Sequence, residues 1–227
     1  MPHLAVEDGR RPVGAPAGRA RRAAAPVAHE APAIAILFVI SGPSGAGKGT
    51  LIRGVLERDP SIADVAVSAT TRGQREGEVD GREYFFLSDA EFQRRVDADA
   101  FEEHVSFAGG RYGTLKEEVD RLLADGRNVI LELEVEGSFA IRRRRPDACL
   151  IFIDAPLPEL ERRLRIRATE SAGDIDMRLA IAGEQRRERG QFDHVILNDE
   201  VARAASELYA TMRSEISRRE GGPTAPA

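Results

Sequence analysis

Short apolar runs alternate with amphipathic segments along most of the chain. An apolar run at 34–40 predicts a buried strand, and the helical pattern that follows it ends before Pro60. Further apolar runs at 129–133, 149–153 and 195–197 predict strands that are separated by helical patterns. Strands that alternate with helices predict an α/β fold, in which helices flank a parallel sheet.

Residues 68–114 interrupt this alternation with short apolar segments, glycines and many polar side chains. We predict a small inserted α+β subdomain there. Ligands of parallel α/β sheets bind beyond the carboxyl ends of the strands, so an insertion at that edge is expected to hold a second substrate. Thr114-Leu-Lys-Glu117 has the pattern of a capping box, which predicts Thr114 as the N-cap of the next helix.

The glycine-rich segment after the first apolar run has the spacing and context of a P-loop. Its glycines let backbone N–H groups turn toward phosphate oxygens, and the following helix adds its partial positive charge. Lys48 would reach the β- and γ-phosphates of ATP. The spacing disfavours the alternative, a plain glycine turn with a solvated lysine. The residues predicted to bind these phosphates are Gly42, Pro43, Ser44, Gly45, Ala46, Gly47, Lys48, Gly49 and Thr50.

Position 49 departs from the usual P-loop pattern, which has a serine or threonine that touches Mg²⁺ after the lysine. Gly49 has no hydroxyl group. Three sources of oxygen therefore stay open for Mg²⁺: water, Thr50 and carboxylates elsewhere in the chain.

The composition fits one ordinary globular domain of 227 residues, with 42% apolar and 31% charged residues. The single cysteine, Cys149, falls in an apolar run and indicates a buried strand residue in a reducing compartment. We therefore expect a cytoplasmic protein. No apolar run approaches the length of a membrane span, and no cluster of cysteine and histidine has metal-ligand spacing.

The first 33 residues differ from the rest in being rich in alanine, proline and arginine, which predicts a disordered tail. Five arginines against three acids give the tail a net charge of +2, and the net charge of −5 for the whole chain leaves −7 for the rest. The negative charge of residues 34–227 argues against nucleic acid as a partner. The arginines of the tail leave open a contact between the tail and nucleic acid. A transit peptide is disfavoured because the tail lacks serine and has early acidic residues.

The segment Ser68–Tyr84 reads S-x-T-T-R-x-x-R-x-G-E-V-D-G-x-x-Y and carries a candidate anion clamp. Its two arginines, Arg72 and Arg75, are flanked by hydroxyl groups that suit a phosphate. Together with the P-loop, the segment Arg111-Tyr-Gly-Thr114 and the segment Val195-Ile-Leu-Asn-Asp199, it resembles the guanylate kinase family in order and spacing. The resemblance extends from residue 34 to the closing helix.

This resemblance implies a transfer of phosphate from ATP to GMP, with Mg²⁺ as the metal and dGMP as a further acceptor. The residues implied for the GMP phosphate are Arg72, Arg75, Tyr84 and Tyr112, and those implied for the base are Ser68, Glu103 and Thr114. Guanine presents two adjacent donors, N1–H and N2–H₂, which one carboxylate accepts together. Adenine has no such pair, so Glu103 would discriminate against it.

Three glutamates with a spacing of two lie at and just beyond the end of the apolar run at 129–133, where the family usually has aspartates. If the strand continues, Glu132, Glu134 and Glu136 lie on one side of it. Glu132 is expected to organise Mg²⁺, and Glu134 to help hold the guanine amino group. The resemblance also implies a lid whose arginines Arg163, Arg167 and Arg178 close over the ATP phosphates, and it places Asn198 near the adenine. With Lys48 and Arg72, the three lid arginines are the predicted catalytic residues.

The implied organisation is a guanylate-kinase-like domain at 34–220, with a core at 34–67 and 115–220, a GMP-binding insertion at 68–114, a lid at about 162–180 and a frayed end at 221–227. The expected partners are GMP and ATP, with no nucleic acid or membrane, for a monomer or homodimer. Another acceptor, as in adenylate-type or ribose-bisphosphate kinases, is disfavoured by the base-reading residues. A non-enzymatic binding module of the same family is disfavoured because the P-loop lysine and the lid arginines are present.

Overall fold

The computed structural model describes residues 35–107, 109–167 and 172–221, without the side chains at 107, 164, 166–167 and 172–176. The predicted tail at 1–33, the first residue of the predicted domain and all but one residue of the predicted frayed end lie outside the described residues. Part of the predicted lid does so as well. In the described ranges, no helix combines the length and the apolar character needed to cross a membrane.

The described residues form nine strands and seven helices. The strands are β1 (Leu37–Ser41), β2 (Asp64–Val65), β3 (Ser68–Thr70), β4 (Phe85–Phe86), β5 (Phe101–Phe107), β6 (Gly110–Leu115), β7 (Val129–Glu132), β8 (Cys149–Asp154) and β9 (His194–Leu197). The helices are α1 (Lys48–Arg58), α2 (Asp89–Asp97), α3 (Lys116–Ala124), α4 (Val135–Arg144), α5 (Leu157–Arg167), α6 (Ala172–Arg187) and α7 (Val201–Glu220), and a short 3₁₀ helix spans Glu188–Gln191.

The larger sheet has five strands in the order β2-β7-β1-β8-β9, and every neighbouring pair is parallel. Strand β1 lies in the middle and is buried along its whole length. This arrangement confirms the α/β fold and parallel sheet predicted from the alternation of apolar runs with helical patterns. It also brings the carboxyl ends of all five strands, including the end of β1 that leads into the P-loop, to one edge.

Alternate residues of the central strands feed two separate apolar cores. Phe38 and Ile40 of β1 belong to a core that also includes Leu51 of α1 and Met212 of α7. On the other face, Leu37 and Val39 join a core with residues of α3 and α4, among them Val119 and Ile141. Successive side chains of a strand point to opposite faces, so one continuous apolar run supplies both cores.

The second sheet has four strands in the order β4-β3-β6-β5, and β3 and β5 are both antiparallel to β6. One of its faces packs on α2 through Phe92, whose ring stacks on that of Phe101 at a centroid distance of 4.4 Å. Helix α2 is capped at its amino end by Ser88, whose hydroxyl accepts a hydrogen bond from the Glu91 amide at 3.2 Å.

The capping box predicted at Thr114 is wrong. Thr114 is part of β6, the N-cap of α3 is Leu115, and no side chain caps this helix end. The Thr114 hydroxyl instead donates to Glu103 Oε1 of the neighbouring strand at 3.0 Å. The pairing of β6 with β3 and β5 carries the strand past the position at which the local pattern would start a helix.

The strand does not continue through the three glutamates, which was the condition for their alignment on one side. Strand β7 ends at Glu132, Glu134 is the N-cap of α4, and Glu136 lies in the first turn of that helix. The strand–helix boundary falls between the first two glutamates, so Glu136 does not share a strand face with Glu132. The helix that begins here places its amino end at the same sheet edge as the P-loop.

Candidate active site

The P-loop curls back at the carboxyl end of β1 because its glycines adopt conformations that other residues avoid. Gly42 has a φ of 141°, and a Cβ atom on it would lie 2.1 Å from the carbonyl oxygen of Ile153. Gly47 has a φ of 90°, and a Cβ atom on it would lie 2.5 Å from the amide nitrogen of Asn198. Both positions therefore require glycine for backbone conformation and for space.

Lys48 is the first residue of α1 and is 8% exposed. Its Nζ donates to the carbonyl oxygen of Gly42 at 2.6 Å and lies 3.3 Å from Glu134 Oε1. Gln185 of α6 donates to the other oxygen of that carboxylate at 3.1 Å. The lysine is thus held over the loop by neighbours that an incoming phosphate oxygen would replace, and Glu134 lies on the P-loop side of the site.

Two further predicted residues contact the P-loop directly. Arg163 of α5 donates to the carbonyl oxygen of Ala46 at 3.3 Å and is held at its Nε by Glu159 at 2.7 Å. The Asn198 amide, which follows β9, donates to the same carbonyl oxygen at 2.6 Å. Asn198 is fully buried, and its Oδ1 has no hydrogen-bond partner in the described part of the chain.

Glu132 and Gly49 are adjacent at the mouth of the P-loop. A Cβ atom on Gly49 would lie 3.2 Å from Glu132 Oε2. The carboxylate of Glu132 therefore reaches the place where the side chain of an ordinary P-loop serine begins. Thr50 lies beside them in the first turn of α1 and is half-buried.

A row of three side chains crosses the second sheet on the face opposite α2. Ser68 pairs with Thr114 across β3 and β6, and Glu103 pairs with Thr114 across β5 and β6. Directly opposed residues project from the same face, so all three stand side by side. The three residues predicted to read the base are thus brought together by strand register, although 46 positions separate the first from the last.

Glu103 is the acidic member of this row. Burial raises the pKa of its carboxyl above the usual range, and the hydrogen bond from Thr114 opposes this shift. Its Oε2 lies 3.4 Å from the place where a Cβ atom of Gly137, in the first turns of α4, would be. The absence of a side chain at position 137 therefore leaves room for the Glu103 carboxylate. Thr114 holds Oε1 of this carboxylate, and Oε2 is directed toward α4.

Arg72, Tyr84 and Tyr112 form a second group on this subdomain. The tyrosine rings meet edge to face at 6.0 Å, and the guanidinium of Arg72 lies 5.4 Å from the centre of the Tyr84 ring. Glu78 accepts two hydrogen bonds from Arg72, at 2.8 and 3.0 Å, and these bonds lower the pKa of its carboxyl. Arg75 is exposed, and its backbone amide also donates to Glu78.

An electrostatic contact links this group to the P-loop edge. Burial is the main cause that raises the pKa of the Tyr84 phenol, and the charge of Glu132 makes a smaller contribution in the same direction. The carboxylate near Gly49 therefore acts on a residue predicted to bind the second substrate. Of the remaining predicted residues, Arg178 is half-buried in α6, and the side chain of Arg167 lies outside the described part.

Several residues that support the site were not identified from the sequence. Glu78 orients Arg72, Gln185 contacts Glu134, and the buried Asp154 accepts hydrogen bonds from Arg186 at 2.6 Å and Arg189 at 2.9 Å. Asp154 anchors the end of α6 to the sheet. The sequence did contain a signal for Asp154. An acidic residue directly after the apolar run at 149–153 lies at the carboxyl end of a predicted strand, where ligands of such sheets bind.

A P-loop at the carboxyl edge of a parallel sheet, beside a small sheet that carries a half-buried carboxylate, is typical of the class of P-loop nucleotide kinases. The family model described as guanylate kinase matches residues 35–215. The chain therefore belongs to the guanylate kinase family.

Similar proteins agree with this assignment. The chain is 48% identical to a guanylate kinase of Rubrobacter xylanophilus over 80% of this chain and 95% of the relative, and 44% identical to one of Symbiobacterium thermophilum over 81% and 87%. A crystal structure of guanylate kinase from Anaplasma phagocytophilum matches with a TM-score of 0.63 and 24% identity, over 82% of this chain and 88% of that one. The structural match supports the fold.

Proposed function

We propose that the protein transfers the γ-phosphoryl group of ATP to GMP, and also to dGMP, and releases ADP and the nucleoside diphosphate. The observation that carries the acceptor assignment is the half-buried Glu103 carboxylate in register with Ser68 and Thr114. A charged carboxylate accepts both donors of the guanine edge. With adenine it would stay desolvated and unpaired, so the pocket selects guanine.

Phosphoryl transfer of this kind depends on alignment and on charge neutralisation. The P-loop and Lys48 hold the ATP phosphates, and Arg163, already at the loop carbonyls, neutralises charge that develops on the transferring group. Arg72, oriented by Glu78, and the tyrosines Tyr84 and Tyr112 direct the acceptor phosphate. Arg75, Arg167 and Arg178 complete the two phosphate sites, and Asn198 supports the loop beneath the adenine.

Glu132 and Thr50 are the residues that would hold Mg²⁺. The Glu132 carboxylate lies where Gly49 leaves space, so a hard oxygen donor is present although position 49 has no hydroxyl. Mg²⁺ held there would supply positive charge against the negative charge of the ATP phosphates. Glu134 contacts Lys48, and we retain for it, as a prediction, the role at the guanine amino group.

The proposal also includes the domain organisation, the oligomeric state and the cellular location. The core at 34–67 and 115–220 would bind ATP, the insertion at 68–114 would bind GMP, and the segment at about 162–180 would close as a lid. We expect a monomer or homodimer in the cytoplasm that acts on small nucleotides. The net charge of −7 outside the tail supports this expectation, because an acidic surface repels nucleic acid.

Replacement of Glu103 by glutamine tests the acceptor assignment. An amide offers one acceptor and adds a donor, so kcat/KM for GMP should fall by about 100-fold or more, while KM for ATP changes by less than about twofold. The matched control is Glu91→Gln, a partly exposed residue of α2 in the same subdomain, whose carboxylate pairs with Arg94 and Arg95. Unchanged kcat/KM for GMP in Glu103→Gln would overturn the assignment.

A further inference from the structure

Three side chains with metal-binding atoms meet at the edge of the sheet opposite the P-loop. Cys149 begins β8, His194 begins β9, and Glu215 lies on α7. Parallel strands bring their amino ends to one edge, whereas the P-loop follows the carboxyl end of β1. This Cys–His–Glu cluster is therefore on the far side of the domain from the nucleotide pockets.

The geometry of the cluster is close to that of a metal site. His194 Nε2 and Glu215 Oε1 are 2.9 Å apart, and one ligand atom from each of the three residues lies within 4.8 Å of the others. Tetrahedral Zn²⁺, with bonds of about 2.0 to 2.3 Å, holds its ligand atoms about 3.3 to 3.8 Å apart. Small side-chain movements would therefore bring all three atoms onto one ion, in place of the His194–Glu215 hydrogen bond.

The surroundings of the Cys–His–Glu cluster favour a divalent cation. Arg218 pairs with Oε2 of Glu215, and Oε1 of the same carboxylate faces His194. Carboxylates that bind metal ions are commonly oriented by such a hydrogen bond to their second oxygen. A thiolate and a carboxylate together balance the two charges of Zn²⁺. A cavity of about 430 Å³ borders the three residues and gives access to solvent.

Two other uses of the cavity are less consistent with its lining. An anion would need cationic groups without acidic partners, but Arg142 pairs with Asp193 at 2.6 Å and Arg218 pairs with Glu215. The third arginine of the lining, Arg219, is held by a hydrogen bond to the backbone oxygen of Asp147. A nucleophilic role for Cys149 would need a thiolate, but burial raises the pKa of its thiol to about 12. A metal ion that binds the sulfur atom deprotonates a thiol outright.

We propose that Cys149, His194 and Glu215 bind Zn²⁺, with a water molecule from the cavity as the fourth ligand. When Zn²⁺ binds, the S–H bond of Cys149 breaks, its proton passes to solvent and a sulfur–zinc bond forms. Mg²⁺ prefers six oxygen ligands, so the Mg²⁺ used in phosphoryl transfer should not compete for this site.

Cobalt substitution tests the proposal directly, because Cys149 is the only cysteine of the chain. Titration of the full-length protein with Co²⁺ should give one equivalent of an intense thiolate-to-cobalt charge-transfer band in the near ultraviolet. Zn²⁺ should abolish the band, and a large excess of Mg²⁺ should not. Absence of the band in the wild-type protein would overturn the proposal, and this measurement requires no variant.

Variants then identify the other ligands. His194→Gln and Glu215→Gln should each weaken Zn²⁺ binding by at least about 100-fold, beyond the tenfold to hundredfold effects typical of supporting residues. The matched controls are His104→Gln in β5 and Glu207→Gln, an exposed residue two turns earlier on α7, and both should bind Zn²⁺ as the wild type does. Equal Zn²⁺ affinity in the ligand variants and the controls would contradict the assignment.

Discussion

Lys48 and Glu103 bring opposite charges to two neighbouring pockets, and each is held by a polar neighbour in the absence of substrate. Backbone carbonyls of the P-loop and the Glu134 carboxylate surround the lysine, and the Thr114 hydroxyl fixes one oxygen of Glu103. Groups oriented before the substrate arrives need little reorganisation during the reaction. We therefore assign phosphate binding to Lys48 and base selection to Glu103.

Lys48→Ala should lower kcat by about 10³-fold or more, because it removes the cation aimed at the transferring phosphoryl group. The matched control is the only other lysine of the chain, Lys116, which pairs with Asp99. Lys116→Ala should keep wild-type kcat. Steady-state kinetics at saturating ATP and GMP checks both variants, and an unchanged kcat in Lys48→Ala would refute the assigned role.

Activity should also depend on the protonation of Glu103. The charged carboxylate accepts the guanine donors, and burial raises its pKa, so kcat/KM for GMP should fall as the pH is lowered at values where an ordinary glutamate is still charged. Phosphate groups of the substrates titrate as well. The Glu103→Gln variant separates the two causes, since its profile should lack the part that is due to Glu103. A profile of the same shape in both proteins would contradict the assignment.

Helix α4 is the element that connects the two pockets. Glu134 at its N-cap contacts Lys48, and Gly137, one turn later, makes room for Glu103. At its other end, Arg145 donates to the buried carboxylate of Glu102 at 2.7 Å and also pairs with Asp120 of α3. One helix thus fixes the strand that carries Glu103 relative to the P-loop.

Arg145→Met should destabilise the domain by about 2 kcal/mol. Removing one partner of a buried ion pair costs about 3 to 5 kcal/mol, and the partly exposed guanidinium reduces this value. Urea unfolding should show this loss, and a double variant with Glu102→Leu should regain most of it. Arg143→Met, an exposed neighbour in α4, should lie within about 0.5 kcal/mol of the wild type. Equal stability of Arg145→Met and Arg143→Met would show that the Arg145–Glu102 pair does not stabilise the domain.

The sequence was sufficient for the elements that depend on local patterns. The apolar runs predicted the central strands, and the glycine spacing predicted the strand–loop–helix context of the P-loop. The pattern failed at Thr114, where two neighbouring strands extend β6, and at Glu134, where a helix begins earlier than the alternation indicated. It also gave no sign of the Arg145–Glu102 pair, because that contact joins residues 43 positions apart.

At the scale of the whole molecule, the proposed function divides the two substrates between two sheets. The parallel sheet presents the P-loop at its carboxyl edge, and the antiparallel sheet presents the row of Ser68, Thr114 and Glu103. Both meet at the amino end of α4, so a movement of either sheet changes the distance between donor and acceptor phosphates. The proposed Cys–His–Glu cluster lies at the other edge, where a bound metal would tie β8, β9 and α7 together.

The central claim is that this architecture phosphorylates guanine nucleotides. A coupled assay of ADP release, with ATP and Mg²⁺ and with GMP, AMP, CMP and UMP offered separately, measures it most directly. We expect kcat/KM for GMP to be about 10⁴-fold above that for AMP, because adenine leaves the Glu103 carboxylate unpaired. Comparable turnover of AMP, or no turnover with any acceptor in a protein that binds GMP, would contradict it.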